Sequence, residues 1–260
     1  MLRANPFHSA VEAVSAALIG GQNPAALARA AGITTAERYL VLALSIAPEP
    51  VTVTPASEGY RTTRMRRTFE EACGPGTLAL FGARGGTVLI PADERADTAP
   101  PELMSRLQCA ARSPLSVVAV PGEIDRIPQT THLAHELLDL VLRLRYPPTL
   151  YRFEDLTLEY QLTRPGPATE HLAGILEPIV RYPDLLHTLR KHIENNFHRQ
   201  RTARALNIHS NTVDYRLRRI RELTGFDPCR LTDLWHLQSA LVPTPAAGHT
   251  YDCRDRSPQK

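Results

Sequence analysis

From Arg199 to Leu223 the chain reads RQRTARALNIHSNTVDYRLRRIREL, in which nearly every turn supplies a guanidinium, an amide or a hydroxyl. These groups suit hydrogen bonding to phosphate oxygens and to base edges. Arg can bridge the O6 and N7 of guanine, Asn the N6 and N7 of adenine, and Asp can accept from cytosine N4. Charge is concentrated in the same place. Between His187 and Thr224 there are nine cations and three anions, a formal +6 within a chain whose total is +3. The remainder is therefore net negative, and local basicity of this kind is the footprint of a surface that neutralises phosphates.

The elements that must position these groups follow from apolar spacing. Val213, Leu217, Ile220 and Thr224 recur at i, i+4, i+7 and i+11, which places them on one stripe of a helix at about 100° per residue. Asn211, Tyr215, Arg218, Arg219 and Glu222 then point away from the core, with Asp214 and Thr212 on the flanks. Upstream, Thr202 to Leu206 reads as a short helix, with small Ala203 where a second helix must come close and Leu206 and Ile208 bracketing a turn. Asn207 suits a left-handed turn residue. Ser210 or Asn211 can cap the second helix, and Gly225 can end it. The pattern is that of a helix-turn-helix.

In such motifs the N-terminal half of the second helix lies over base edges. The base-reading candidates are therefore His209, Ser210, Asn211, Asp214, Tyr215 and Arg218. Arg201, Arg204, Thr212, Arg216 and Arg219 are placed to clamp phosphates, which fixes register without reading sequence. Asp214 repels phosphate, so it is expected to discriminate between bases or to pair with Arg218 four residues on.

The stretch Leu185 to Leu241 also resembles the C-terminal DNA-binding domain of PucR and CdaR type bacterial transcriptional regulators. The resemblance rests on the TARAL helix, on the NTV-YRL-RI-ELTG helix and on the trailing DLWHLQSAL. Members often carry basic residues where this chain has Ser210 and Asp214, so the operator sequence does not carry over. The resemblance implies a regulator that binds double-stranded DNA, and no cofactor is expected. A single such motif buries little surface, so a homodimer on an inverted repeat is expected. A small-molecule effector of unstated chemistry is compatible with the family.

Ahead of this region the 260 residues have an ordinary apolar and charged balance and room for two modest domains. No apolar run approaches the roughly 18 residues of a membrane span. The N-terminal run is interrupted by Glu12 and its Val11, Val14, Leu18 spacing fits an amphipathic helix rather than a leader, so a cytoplasmic protein is expected. Cys73, Cys109, Cys229 and Cys253 form no C-x-x-C pair, which argues for free thiols.

Two short helices, Ser9 to Ile19 and Pro24 to Ala31, lead in. YLVLALSI at 39–46 reads as a buried strand, Arg61 to Ala72 as a helix, and Leu78 to Phe81 and Thr87 to Ile90 as a hairpin. Gly85 and Gly86 are read there as turn residues. Pro101 to Ala111 is helical, Leu115 to Val120 a strand, His132 to Leu144 a helix and Leu150 to Phe153 a short strand. The order β-α-β-β-α-β is the split βαβ of ferredoxin-like and nucleotide-cyclase-like sheets. PucR and CdaR type regulators are similar in carrying a GGDEF-like domain, and NPAALARAAGITTAERYLVLALSI resembles its entry.

The expected fold class is thus an α+β, GGDEF-like N-terminal domain followed by an all-α helix-turn-helix domain. The divisions are a helical lead-in at 1–36, the α+β domain at 37–154, a Pro-rich connection at 155–184 with one helix from Thr169 to Leu176, the DNA-binding domain at 185–242, and a disordered tail at 243–260.

No catalytic residue and no metal site is expected. A working diguanylate cyclase needs carboxylates for two magnesium ions, whereas the hairpin reads Gly85-Gly86-Thr87-Val88 and the first strand, 39–46, runs into Ala47-Pro48-Glu49. His132, His135 and Glu136 share a helical face without forming H-E-x-x-H, and read as solvated surface. His187, His192 and His198 read as surface or phosphate contacts. Two other classes stay open on the residues alone: an enzyme with residual cyclase-like activity tethered to DNA, and an adaptor whose basic helices bind an acidic protein.

Overall fold

A computed structural model describes residues 6–48, 55–74, 76–92 and 99–243, and divides the chain into two compact units, Met1–Thr157 and Leu158–Lys260. The tail expected beyond residue 243, with Cys253, lies outside the described residues.

The first unit is built around a five-stranded sheet of order β2-β3-β1-β4-β5, where β1 is Arg38–Ile46, β2 Leu78–Gly82, β3 Gly85–Pro91, β4 Leu115–Glu123 and β5 Leu150–Arg152. β1 pairs antiparallel with both β3 and β4, and β2 antiparallel with β3. That is the split βαβ arrangement expected from the element order. β5 is added at the edge, parallel to β4.

Alternation along β1 explains its unbroken apolar run. Leu40, Leu42, Leu44 and Ile46 enter a core with Met65 and Phe69 of α3 (Pro55–Cys73) and Leu103 and Leu107 of α4 (Leu103–Ala111). Tyr39, Val41 and Ala43, also fully buried, must point the other way, where α5 (Ile127–Leu144) packs on β1 and β4. α1 (Pro6–Ile19) packs on α5 and β2, and α2 (Ala25–Ala31) follows it.

Gly85 and Gly86 are not the turn. They lie in β3, and Ala83 and Arg84 join the hairpin between the paired Gly82 and Gly85. Both glycines are required by close approach: a Cβ on Gly85 would strike the Leu44 carbonyl, and one on Gly86 the Leu80 carbonyl. The His132–His135–Glu136 group also separates. His135 Nε2 lies 2.8 Å from Thr87 Oγ1 of β3, whereas His132 faces Glu136 at 3.4 Å. Among the described residues no group of His, Cys, Asp and Glu could hold a metal ion, and no helix is long and apolar enough to cross a membrane.

Residues 155–184 differ from the expected Pro-rich connection with one helix. They contain most of α6 (Phe153–Leu162) and all of α7 (Pro167–Val180), and Ile175, Leu176 and Ile179 of α7 are buried in the second unit's core. Pro167 and Pro183 stand in first helical turns, where no backbone donor is missed, so they punctuate helices instead of preventing them. The remaining helices are α8 (Pro183–Glu194), α9 (Arg199–Leu206), α10 (Ser210–Thr224) and α11 (Leu231–Leu241).

Candidate nucleic-acid interface

α10 is anchored by the stripe its sequence announced. Val213, Leu217 and Ile220 are buried against Leu186 and Leu189 of α8, Ala203 of α9 and Leu237 of α11, while Thr224 is half-buried and caps its own helix end through Ile220 O. Apolar burial on one side holds the polar side outward. The turn before it works as expected: Asn207 is left-handed (φ 53°), and Ile208 N–H donates to Ala203 O at 3.0 Å. Gly225 (φ 80°) ends α10. The cap itself differs. Neither Ser210 nor Asn211 caps; His209 does, its ring Nδ1 accepting from Asn211 N–H at 3.2 Å. A histidine performs the capping usually left to Ser, Thr, Asp or Asn because the backbone bends one residue earlier.

Of the residues expected to meet DNA, His209, Asn211, Tyr215, Arg218, Arg201 and Arg204 are exposed, Tyr215 by 62%. Ser210, Thr212, Asp214, Arg216 and Arg219 are half-buried. Asp214 does not pair with Arg218. It accepts from Arg199 Nη1 at 2.8 Å, tying the start of α9 to the first turns of α10. Arg216 also departs from the free clamp expected of it: it donates to Asp184 at 3.0 Å and to Thr188 at 3.1 Å, bracing α10 on α8. Arg219 meets Glu222 at 2.8 Å, which holds the guanidinium more firmly protonated. The outward cationic face therefore consists chiefly of Arg201, Arg204, Arg218 and Arg219, with Arg199 added. Arg199 was visible in the charge run, but its partner fifteen residues away was not.

Between α8 and α9 the chain turns through Asn196 (φ 52°) and Phe197 (φ 61°), two successive left-handed residues without a glycine. Their N–H groups donate to Ile193 O at 2.9 Å and His192 O at 2.8 Å, and the Phe197 ring meets His192 edge-on at 5.9 Å.

His192 is not a surface or phosphate residue. It is buried, with Nδ1 3.2 Å from Thr202 Oγ1, whose own hydroxyl donates to His198 O at 3.1 Å. That leaves the ring nitrogen as donor to the hydroxyl oxygen. Burial pushes the His192 pKa below its ordinary 6.5, opposed in part by the charge of Asp214. Below pH 6.5 the unfolded chain then binds a proton that the folded unit resists. Stability of the helical unit should be unaffected by this group above pH 6.5, fall by about 1.4 kcal/mol per pH unit below it, and level off once the folded pKa is passed. Denaturant melts at about pH 7.5 and about pH 5.5 on wild type and His192→Gln check this. Equal pH dependence in the two proteins would refute it.

Residues 185–242 match the family described as the PucR C-terminal helix-turn-helix domain. A protein of Bacillus subtilis (strain 168) described as the uncharacterized protein YsfB is 32% identical over 90 residues, which are 34% of this chain. The match spans 24% of that relative's length. A crystal structure of a regulator of polyketide synthase expression from Bifidobacterium adolescentis superposes with a TM-score of 0.43 at 18% identity, covering 93% of this chain and 94% of that one. The family match runs through α8, α9, α10 and α11, so the helix pair built above lies inside a region matching the PucR C-terminal helix-turn-helix domain.

Proposed function

We propose that this protein is a transcriptional regulator that binds double-stranded DNA sequence-specifically through α10. The observation that carries the reading is the exposed polar and cationic face of a helix whose opposite face is sealed by Val213, Leu217 and Ile220, within residues that match a helix-turn-helix family. His209, Ser210, Asn211, Tyr215 and Arg218 are the residues for base edges, and Arg201, Arg204, Arg219 and Thr212 for phosphates. Asp214 and Arg216 serve in this reading by fixing how α9 and α8 hold α10. The protein acts as a homodimer on an inverted repeat with half-sites about 34 Å apart or a multiple of it, and the first unit is a GGDEF-like domain that has given up nucleotide chemistry for regulation.

The test is a gel shift of the full chain on the promoter beside its own gene, with heparin competition and a salt series. A specific, salt-sensitive complex is expected. Binding that heparin removes equally from promoter and random duplex would sink the specific reading. Within that assay, Arg218→Ala should cost about 1 to 3 kcal/mol on the operator and relax preference at one base pair. Arg204→Ala should instead weaken every duplex alike and lower the salt slope by about 1. Equal loss on operator and random DNA for Arg218→Ala would remove its base-reading role.

A further inference from the structure

We propose that Arg181 and Tyr182, at the joint between α7 and α8, form a phosphate grip that flanks the DNA-reading helix and extends its footprint on the duplex backbone. The inference rests on the DNA-binding reading above. Both residues precede the 185–242 match, and neither belongs to the basic run from which the interface was read.

The backbone at this joint is fixed. Tyr182 N–H donates to Ile179 O at 2.9 Å, and its carbonyl accepts from Leu185 and Leu186 at 3.0 and 3.2 Å. Pro183 follows in the first turn of α8. The flanking Ile179, Leu185 and Leu186 are buried, yet the Tyr182 ring stands 40% exposed and the Arg181 guanidinium lies over it, 5.7 Å from the ring centre. A stacked guanidinium keeps its in-plane N–H donors free to meet two oxygens of one phosphate, and the phenol beside it offers one more donor.

The joint also lies beside α10. Arg216 reaches from α10 to Asp184 and Thr188 at 3.0 and 3.1 Å, which docks the first turns of α8 against the middle of that helix and offsets the charge of Asp184, two residues after Tyr182. Arg219 stands a turn further along α10, its pKa raised chiefly by Glu222, with smaller contributions from the Tyr182 and Tyr215 phenols. The Arg181–Tyr182 pair is thereby held beside α10, on the side from which Arg216 reaches α8. It adjoins the C-terminal half of α10, whereas base edges meet the N-terminal half, so the chemistry it fits is the phosphodiester backbone at the rim of the groove.

The experiment uses the full chain, a duplex it selects from a randomised library, and an unselected duplex. Affinities of wild type, Arg181→Ala and Tyr182→Phe are measured across salt, with thermal melts to show that each is folded. For Arg181→Ala the slope of log affinity against log salt should drop by about 0.9, so its deficit against wild type should shrink about threefold between roughly 50 and 200 mM salt. The ratio of selected to unselected binding should not change. Ethylation interference should lose one phosphate at the edge of the footprint in both variants. Unchanged slope and interference would overturn the grip while leaving the regulator reading intact, and a changed selectivity ratio would overturn its assignment to phosphate. If wild type binds neither duplex, the regulator reading fails and the grip fails with it.

Discussion

Ile220→Ala is expected to cost the helical unit about 2 to 5 kcal/mol and, on the proposed function, to weaken DNA binding in proportion to the fraction of the unit it unfolds. Ile220 is fully buried in the core that α10 shares with α7, α8, α9 and α11, and truncation there opens a cavity among packed helices. The unit is small, so a loss of that size is a large fraction of the 5 to 15 kcal/mol that a domain typically has. The chain has one tryptophan, Trp235 on α11, so its fluorescence reports this unit alone. The Trp235 transition in urea should move to lower denaturant, and an unmoved midpoint would contradict the packing described. The contrast with Arg218→Ala is informative. The arginine change should leave the Trp235 melt where it is and alter DNA preference, because its side chain is outside the core.

Gly85→Ala is expected to destabilise the sheet unit by on the order of 3 kcal/mol or more. The new methyl group would be driven into the Leu44 carbonyl of the neighbouring strand, and φ at this position is +149°, which L residues rarely adopt. β1 sits at the centre of the sheet, so displacing it disturbs its pairing with β3 and β4 together. Gly82→Ala is the control. A Cβ there meets the Gly85 carbonyl at 3.9 Å, an ordinary contact, and the change should be tolerated. Far-UV melts read both, since the unit has no tryptophan. Equal stability of the two variants would show that close approach does not dictate glycine at 85.

These two sites also show where sequence reasoning holds and where it stops. The Val213, Leu217, Ile220 stripe is legible because helical periodicity is local: each residue's face is set by the few around it. The same is true of Asn207 and Gly225, whose left-handed backbone follows from what their own side chains permit. Gly85-Gly86 reads as a hairpin turn because a local pattern does not report the strand that presses on Gly85 from forty residues away, nor that the turn falls at Ala83-Arg84 so that Gly86 sits against Leu80 of β2. The His209 cap is a different case: its contact to Asn211 is local, but histidine is not among the residues that usually cap. Residues 155–184 read as a connection because their apolar residues complete a core formed with distant α8, α10 and α11.

The sequence alone determined the order of elements in the first unit, and with it the split βαβ plan, together with the basic helix-turn-helix, since each of these elements is read from spacing and charge within short windows. Only the tertiary structure decided which charges are engaged. Asp214 turned to Arg199, Arg216 to Asp184, and His192 into the core, because a side chain's partner is fixed by which helices meet, and the chain's own spacing carries no record of that meeting.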